Sequence, residues 1–344
     1  MQNSPSAARK NVRDGERKGY FMGYRVLLTE EIDPAGRDFL LEQGYEIKMG
    51  TGLQEEDIIR DLADCDAVLT RNGHITERVM RSAPRLKAVS MHGVGVDIID
   101  VDAATRLGIQ VTNAAGSNRT AVAEFTIGLM IDLARNVFLY DRELRGGNWQ
   151  VRRTLGCNLE GKTLGVIGMG SIGSLVAEKA HAGLGMHVIG YRRHVPAHPP
   201  EGIEVTDDLD RVLRASDFVS LHVPSTPATK KLIGEREIAQ MKHGAFLVNT
   251  ARGDIIDTEA LAEALRSGRL SGAAIDVFEG EIPAKDNPLL SLPNVIVTPH
   301  AAAFSRETIA RMSLLSAKGI DEVLSGKELT SPVNRLPGDG MLTA

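Results

Sequence analysis

Thr163-Leu-Gly-Val-Ile-Gly168-Met-Gly170-Ser-Ile-Gly173 is the stretch that decides the fold. Leu164 to Ile167 read as a buried strand that runs straight into Gly168-x-Gly170-x-x-Gly173, and an amphipathic run, Ser174 to Ala182, follows at once. Strand, glycine turn and helix in that order are the context in which this spacing points to a dinucleotide. Gly168 permits a tight turn, Gly170 lets the backbone approach a pyrophosphate, and Gly173 allows helix and strand to pack closely. The helix N-terminus offers unpaired N–H groups and a positive dipole end to the anion. Gly168, Met169, Gly170, Ser171, Ile172 and Gly173 are therefore the expected phosphate-binding turn. A glycine turn that binds nothing is the plain alternative, and the flanking strand and helix weigh against it.

Outward from this turn, strands and helices alternate in both directions. On the N-terminal side, strands are predicted at Arg25–Leu28, Glu46–Lys48, Ala67–Thr70, Leu86–Ser90 and Ile109–Thr112, with helices at Ala35–Gln43, Glu55–Leu62 and Thr76–Ser82. On the C-terminal side, strands are predicted at His187–Tyr191, Phe218–His222, Ala245–Asn249, Ala273–Val277 and Val295–Thr298. Helical runs Arg236–Met241 and Thr258–Ser267 lie between them, and a last amphipathic helix covers Ser305–Leu324. Such alternation means βαβ units and parallel sheets covered on both faces. The expected class is α/β: two doubly wound parallel-sheet domains, one flavodoxin-like from Tyr24 and one Rossmann dinucleotide-binding domain. Between them, Val122, Phe125, Leu129, Leu133 and Val137 form one stripe and predict a single long helix over Val122–Arg145, serving the core or a dimer interface.

Composition fits this. The 344 residues have room for two domains, and 25% charged with 42% hydrophobic residues is ordinary for a globular protein. A net charge of −5 with no basic run argues against nucleic acid or an anionic membrane as the main partner. Cys65 and Cys157 stand far apart with no ligand cluster nearby, so neither a disulfide scaffold nor a metal is expected. Met1 to Gly23 is polar and Arg/Lys-rich and lacks an apolar h-region, so it reads as a disordered tail rather than a secretory signal. Asp14 and Glu16 interrupt any transit-peptide character, Met22 is an alternative start, and the expected location is the cytoplasm.

Selectivity between nicotinamide cofactors is set at the end of the strand after the glycine turn. An NAD site needs an acidic residue there to accept from the ribose hydroxyl. Here the chain reads Gly190-Tyr191-Arg192-Arg193-His194, with no carboxylate. Guanidinium groups at Arg192 and Arg193 suit a 2′-phosphate, and hydrogen bonds to charged groups predict roughly a ten- to hundredfold preference for NADP over NAD. Solvated surface charge is the alternative reading of both arginines.

Four further segments end predicted strands. His92-Gly93-Val94-Gly95-Val96-Asp97 offers the N–H groups of Val94 and Gly95 as a small anion nest. Asn249-Thr250-Ala251-Arg252, Asp276-Val277-Phe278-Glu279-Gly280-Glu281 and Thr298-Pro299-His300 bring an arginine, carboxylates and a histidine to one sheet edge. Each has a dull explanation alone: a structural arginine, a solvated loop charge, a turn residue behind proline. Together they match a hydride-transfer site, which requires a fixed cation, a proton donor and a partner that orients the donor.

Gly-Met-Gly-Ser-Ile-Gly, Asn-Thr-Ala-Arg-Gly, Asp-Val-Phe-Glu-x-Glu and Thr-Pro-His together resemble the D-isomer-specific 2-hydroxyacid dehydrogenase family, from about Tyr24 to Asn334. The resemblance implies Arg252 as substrate-binding arginine, His300 as acid/base and Glu281 as its partner. It implies Val94 and Gly95 as backbone anchors for the substrate carboxylate, and Thr250 and Asp276 on the cofactor side, with Asp276 at the nicotinamide carboxamide. It implies a discontinuous substrate domain, 24–114 with 302–334, around a dinucleotide-binding domain, 115–301, and a homodimer. Residues 335–344 are expected to be a C-terminal tail.

The expected reaction is reversible reduction of a small 2-keto acid such as hydroxypyruvate, glyoxylate or phosphohydroxypyruvate. Arg252 with the Val94 and Gly95 amides grips the carboxylate, and His300 donates to the carbonyl oxygen as hydride arrives. Closure is expected about hinges near Ala115–Ser117 and Ala301–Ala303. Two departures stand out: Glu281-Ile282-Pro283 replaces the family's Glu-Pro, and the acidic residue of NAD users is absent. The chain ends soon after its last helix, so the regulatory domain of longer phosphoglycerate dehydrogenases is not expected. The alternatives are an NAD-dependent D-3-phosphoglycerate dehydrogenase, a dinucleotide-sensing corepressor of the same fold, and a formate-type oxidiser, against which Glu281 argues. Side-chain selectivity is expected from Arg71-Asn72-Gly73-His74, the turn at His92 and the closing helix.

Overall fold

A computed structural model describes residues 23–336. The tails expected at 1–23 and 335–344 lie outside the described residues, apart from Gly23, Arg335 and Leu336.

The first sheet is built from β1 (Arg25–Leu28), β2 (Glu46–Met49), β3 (Ala67–Thr70), β4 (Ala88–Met91) and β5 (Gln110–Asn113). All pairings are parallel, in the order β2-β1-β3-β4-β5. That is the doubly wound flavodoxin-like order, with its switch point between β1 and β3. The crossovers are α1 (Pro34–Glu42), α2 (Glu55–Leu62), α3 (Glu77–Arg81) and α4 (Val101–Arg106). Asp33, Thr76 and Asp100 cap three of them by accepting backbone N–H bonds, which fixes where each helix begins.

Next come α5 (Arg119–Arg135) and α6 (Val137–Arg145). The single helix predicted over Val122–Arg145 is therefore broken. Asn136 adopts φ +56°, a left-handed conformation that asparagine tolerates. Asp132 supports the break from both sides: its carbonyl accepts from Asn136, and its carboxylate accepts from Phe138 N at 2.6 Å. Val122, Leu129 and Leu133 are buried as the stripe requires, whereas Val137 lies beyond the break and is exposed.

The second sheet holds β6 (Thr163–Ile167), β7 (His187–Tyr191), β8 (Ile203–Thr206), β9 (Phe218–Leu221), β10 (Ala245–Asn249), β11 (Leu270–Ile275) and β12 (Val295–Val297). Its order is β12-β11-β10-β9-β6-β7-β8, again all parallel, so the order reverses between β9 and β6. Its helices are α7 (Ser171–Leu184), α8 (Leu209–Ala215), α9 (Glu235–Gln240) and α10 (Thr258–Arg266). Apolar clusters cover both faces of each sheet, as an all-parallel sheet demands. The short elements β8, α4 and α8 are absent from the sequence reading, although Asp100 and Asp208 are capping signals for the two helices.

The last helix, α11 (Arg306–Ser325), returns to the first sheet and packs on α1. Ser90 Oγ donates to Ser316 O and Ser316 Oγ to Met91 O, both at 2.9 Å, and Tyr45 donates to Asp321 at 2.9 Å. Burial and the Asp321 carboxylate push the Tyr45 phenol well above its ordinary range.

Register aligns the strand ends. Tyr191, Ile167, Leu221, Asn249, Ile275 and Val297 are successive partners across the second sheet. The residues that follow them, Arg192, Gly168, His222, Thr250, Asp276 and Thr298, consequently form a row along one carboxyl edge.

Candidate active site

The glycine turn is dictated partly by the chain and partly by open space. Gly168 has φ +103°, and a Cβ there would lie 2.6 Å from the His222 carbonyl. A Cβ at Gly173 would lie 2.0 Å from the Gly168 oxygen. Nothing stands within 4 Å of a Cβ built on Gly170, the N-cap of α7, and no side chain caps that helix. The turn thus leaves a helix N-terminus and a bare backbone facing free space at the switch point, which fits a pyrophosphate. The Met169 side chain is buried in the core against Gly190, so its backbone is what borders the turn. Ser171 is exposed at the first turn of α7, and Ile172 is half-buried under it.

Arg192 and Arg193 are exposed just past β7. Arg192 N donates to Thr206 O at 2.9 Å, which ties this corner to the end of β8. Nearby Arg211, by contrast, is taken up by Glu204. Thr250 is buried, and its hydroxyl pairs with Thr126 of α5 at 3.0 Å, so its backbone is what reaches the edge.

Arg252 is aimed by the fully buried Asn249, which accepts from Ala251 N at 3.0 Å and donates to Arg252 O at 2.8 Å. The guanidinium crosses to the first sheet. Nε donates to Asp97 Oδ2 at 2.9 Å, Nη2 lies 2.9 Å from the same oxygen as an ion pair, and Nη1 donates to Ala251 O at 2.7 Å. Nη2 lies so close over Gly95 that a Cβ there would come within 1.7 Å of it. A side chain at Gly95 would have to displace the guanidinium from this position. No backbone carbonyl among the described residues accepts from the N–H of Val94 or Gly95. Asn113 holds their turn from behind by donating to Val94 O at 2.6 Å.

His300 Nδ1 lies 2.6 Å from Glu281 Oε1. The loop that carries His300 wraps the fully buried Asp276. Its carboxylate accepts from Ala301 N at 2.8 Å, from Ala302 N at 3.0 Å and from the Thr298 hydroxyl, and its carbonyl accepts from His300 N at 2.7 Å. Asp276 thus has a structural task that its expected place beside a nicotinamide does not convey. Phe304, just after this loop, carries the Arg71 guanidinium on its ring face, 4.6 Å from the centroid.

Two other histidines stand at these strand ends with their pKa lowered. Burial lowers His92, with the nearby Arg71 charge acting in the same sense, and burial pushes His222 down to about 4. A cavity of about 300 Å³ bordered by Leu133, Phe246 and Val295 lies at the opposite, amino end of the second sheet, under the α5–α6 break. It takes no part in this chemistry.

The structure therefore brings Arg252 onto Gly95 and His300 onto Glu281, with Arg252, Glu281 and His300 following strands of the second sheet and Gly95 following β4 of the first. Asp97 and Thr298 belong to the site although the sequence reading gives them no role. Asp97 lies 155 positions from Arg252, so no local spacing links them.

A family model described as "D-isomer specific 2-hydroxyacid dehydrogenase, NAD binding domain" matches residues 127–302. The D-3-phosphoglycerate dehydrogenase of Methanocaldococcus jannaschii is 44% identical over 315 residues, covering 90% of this chain and 59% of the relative. The chain thus spans little more than half the length of that protein. The glyoxylate reductase of Aeropyrum pernix is 41% identical over 327 residues, covering 90% of this chain and 96% of the relative. Among solved structures, an NADPH-dependent glyoxylate/hydroxypyruvate reductase from Sinorhizobium meliloti, in complex with NADP and malonate, superposes with TM-score 0.81 at 30% identity, covering 90% and 96% of the two chains.

Proposed function

The chain belongs to the D-isomer-specific 2-hydroxyacid dehydrogenase family, and from that premise we propose that it reduces a small 2-keto acid reversibly, with NADPH preferred over NADH. The observation that carries the reading is the pairing of His300 with Glu281 on the sheet edge that also holds Arg252 over Gly95. Arg252 and the amides of Val94 and Gly95 hold the substrate carboxylate. His300 gives a proton to the carbonyl oxygen through Nε2, because Nδ1 is engaged by Glu281. Glu281 orients the ring, and Asp276 fixes the loop from which it projects. When bound, the reduced dinucleotide supplies the hydride. Asp276, buried and with its carboxylate accepting three hydrogen bonds from residues 298–302, shapes the loop that would border the carboxamide.

Glyoxylate and hydroxypyruvate are the substrates of the proposal, in line with the Aeropyrum and Sinorhizobium proteins. A second reading, oxidation of D-3-phosphoglycerate with NAD, is favoured by the Methanocaldococcus relative. Residues 24–114 with 302–334 are taken as the substrate unit and 115–301 as the dinucleotide unit. Exposed Val137, Phe138, Leu144, Trp149 and Leu155 on and after α6 support a homodimer through this arm, because so much apolar surface favours a partner.

The test is kcat/KM for glyoxylate, hydroxypyruvate and phosphohydroxypyruvate with each cofactor. NADPH preference that collapses in Arg192→Ala/Arg193→Ala supports the proposal. Preference for NADH with the phosphorylated substrate establishes the second reading, and no turnover with any keto acid defeats both.

A further inference from the structure

Arg252, which follows β10 of the second sheet, is held by Asp97, which follows β4 of the first. A guanidinium has five N–H donors. Asp97 Oδ2 accepts from Nε and lies 2.9 Å from Nη2 as its ion-pair partner, and Ala251 O accepts one from Nη1. Three donors remain, one on Nη1 and two on Nη2. A carboxylate accepts from the two terminal nitrogens of a guanidinium in fork-to-fork geometry. Asp97 thereby uses the side of the guanidinium and leaves its end free.

We propose that Asp97 is a positioning residue, which holds Arg252 over Gly95 so that its end-on N–H pair and the amides of Val94 and Gly95 converge on one carboxylate of the ligand. This inference rests on the keto-acid reading of the same site. Three observations carry it. Asp97 sits two residues past Gly95, so the pair is anchored on the anion turn itself. A Cβ at Gly95 would come within 1.7 Å of Arg252 Nη2 and 2.9 Å of Asp97 Oδ2, so both partners close over that glycine in this arrangement. The two side chains are 33% and 50% exposed, and an ion pair so open to water adds little to stability, which leaves orientation as its consequence. Asp97 also brings a negative charge near an anion. Its approach from the Nε side keeps that charge off the fork.

The experiment titrates oxalate, a non-reacting dicarboxylate, into the NADPH complexes of the wild type, Asp97→Ala and Asp97→Asn by calorimetry. Glyoxylate kinetics are measured alongside. Asp97→Ala is expected to weaken oxalate about tenfold or more and to raise KM for glyoxylate similarly, with kcat falling less. Asp97→Asn, which keeps one acceptor oxygen for Nε–H, is expected to lie between. NADPH affinity and melting temperature should not move. Unchanged oxalate affinity in Asp97→Ala overturns the proposal, and so does tighter binding, which would make Asp97 a competitor of the substrate. A parallel loss of NADPH affinity and melting temperature would also overturn it, in favour of a general structural role. Failure of the wild type to turn over any keto acid strikes the reductase reading alone, since oxalate binding is read without turnover. A wild type that binds no oxalate overturns the positioning role.

Discussion

His300 and Glu281 meet at 2.6 Å, and both hold left-handed backbone conformations, φ +53° and φ +69°. Each such conformation costs a side-chain-bearing residue roughly 1–3 kcal/mol and persists only where the surroundings enforce it. Asp276 is the enforcer on the His300 side, through four hydrogen bonds to residues 298–302. Strain at both ends of one short hydrogen bond is what a held donor and its orienting carboxylate would show.

Replacing His300 by Ala should lower kcat by about 10²- to 10⁴-fold, the usual worth of a positioned acid–base group. Dinucleotide affinity, read by fluorescence titration, should be unchanged. Glu281→Gln keeps a hydrogen-bonding partner without its charge, so its loss of kcat should be smaller. Near-normal turnover in His300→Ala would remove the histidine from the mechanism.

Asp276→Asn turns one carboxylate oxygen into an NH2 that faces backbone N–H donors. At least one buried bond is lost, and destabilisation of about 1–3 kcal/mol is expected from that unmet group. Turnover should fall with it, because the displaced loop is the one that carries His300. Chemical denaturation and steady-state kinetics on the same preparation check both parts; a stable variant with impaired turnover would confine Asp276 to the cofactor.

Two glycines of one turn should separate packing from binding. Gly173→Ala places a methyl 2.0 Å from the Gly168 oxygen and should destabilise the fold by about 1–3 kcal/mol. Gly170→Ala meets nothing within 4 Å and has φ −87°, so stability should hold while NADPH affinity falls. Equal NADPH affinity in Gly170→Ala and the wild type would show that no ligand comes close to that backbone.

His222 gives the fold a pH dependence of definite sign. Burial pushes its imidazole down to about 4, while an unfolded histidine titrates near 6.5. Between those values the unfolded chain binds more protons, so the stability fully present above about pH 6.5 is lost as pH falls toward 4. Because the residue keeps a partly exposed edge, its contribution between pH 7 and pH 5 should be at most about 2 kcal/mol. Urea denaturation at the two pH values should show a smaller difference in His222→Gln than in the wild type. An identical difference would assign the acid sensitivity to other groups.

Much of this molecule is legible in local pattern. The alternation of strands and helices gives two doubly wound sheets, and Gly168-x-Gly170-x-x-Gly173 marks the second switch point. Arg252, Glu281 and His300 stand out because each follows a recognisable strand. Some elements escape: β8 and α8 are missed although neither is shorter than elements that are legible, and the break at Asn136 rests on one residue's left-handed conformation, stabilised by Asp132 four positions earlier. Met169 and Thr250 lie inside telling motifs, yet their side chains turn into the core, which motif spacing does not reveal.

By itself the sequence determined the order of strands and helices, the glycine turn and the residue types available at the strand ends, because those follow from periodicity and local backbone sterics. Tertiary structure alone decided that Asp97 grips Arg252 across 155 positions, that the guanidinium lies over Gly95, and that Asp276 folds the His300 loop around its carboxylate. The physical reason is that these are relations between segments that only packing brings together. A donor's direction is set by the groups that meet it in space, and a one-dimensional pattern carries no record of who those neighbours are.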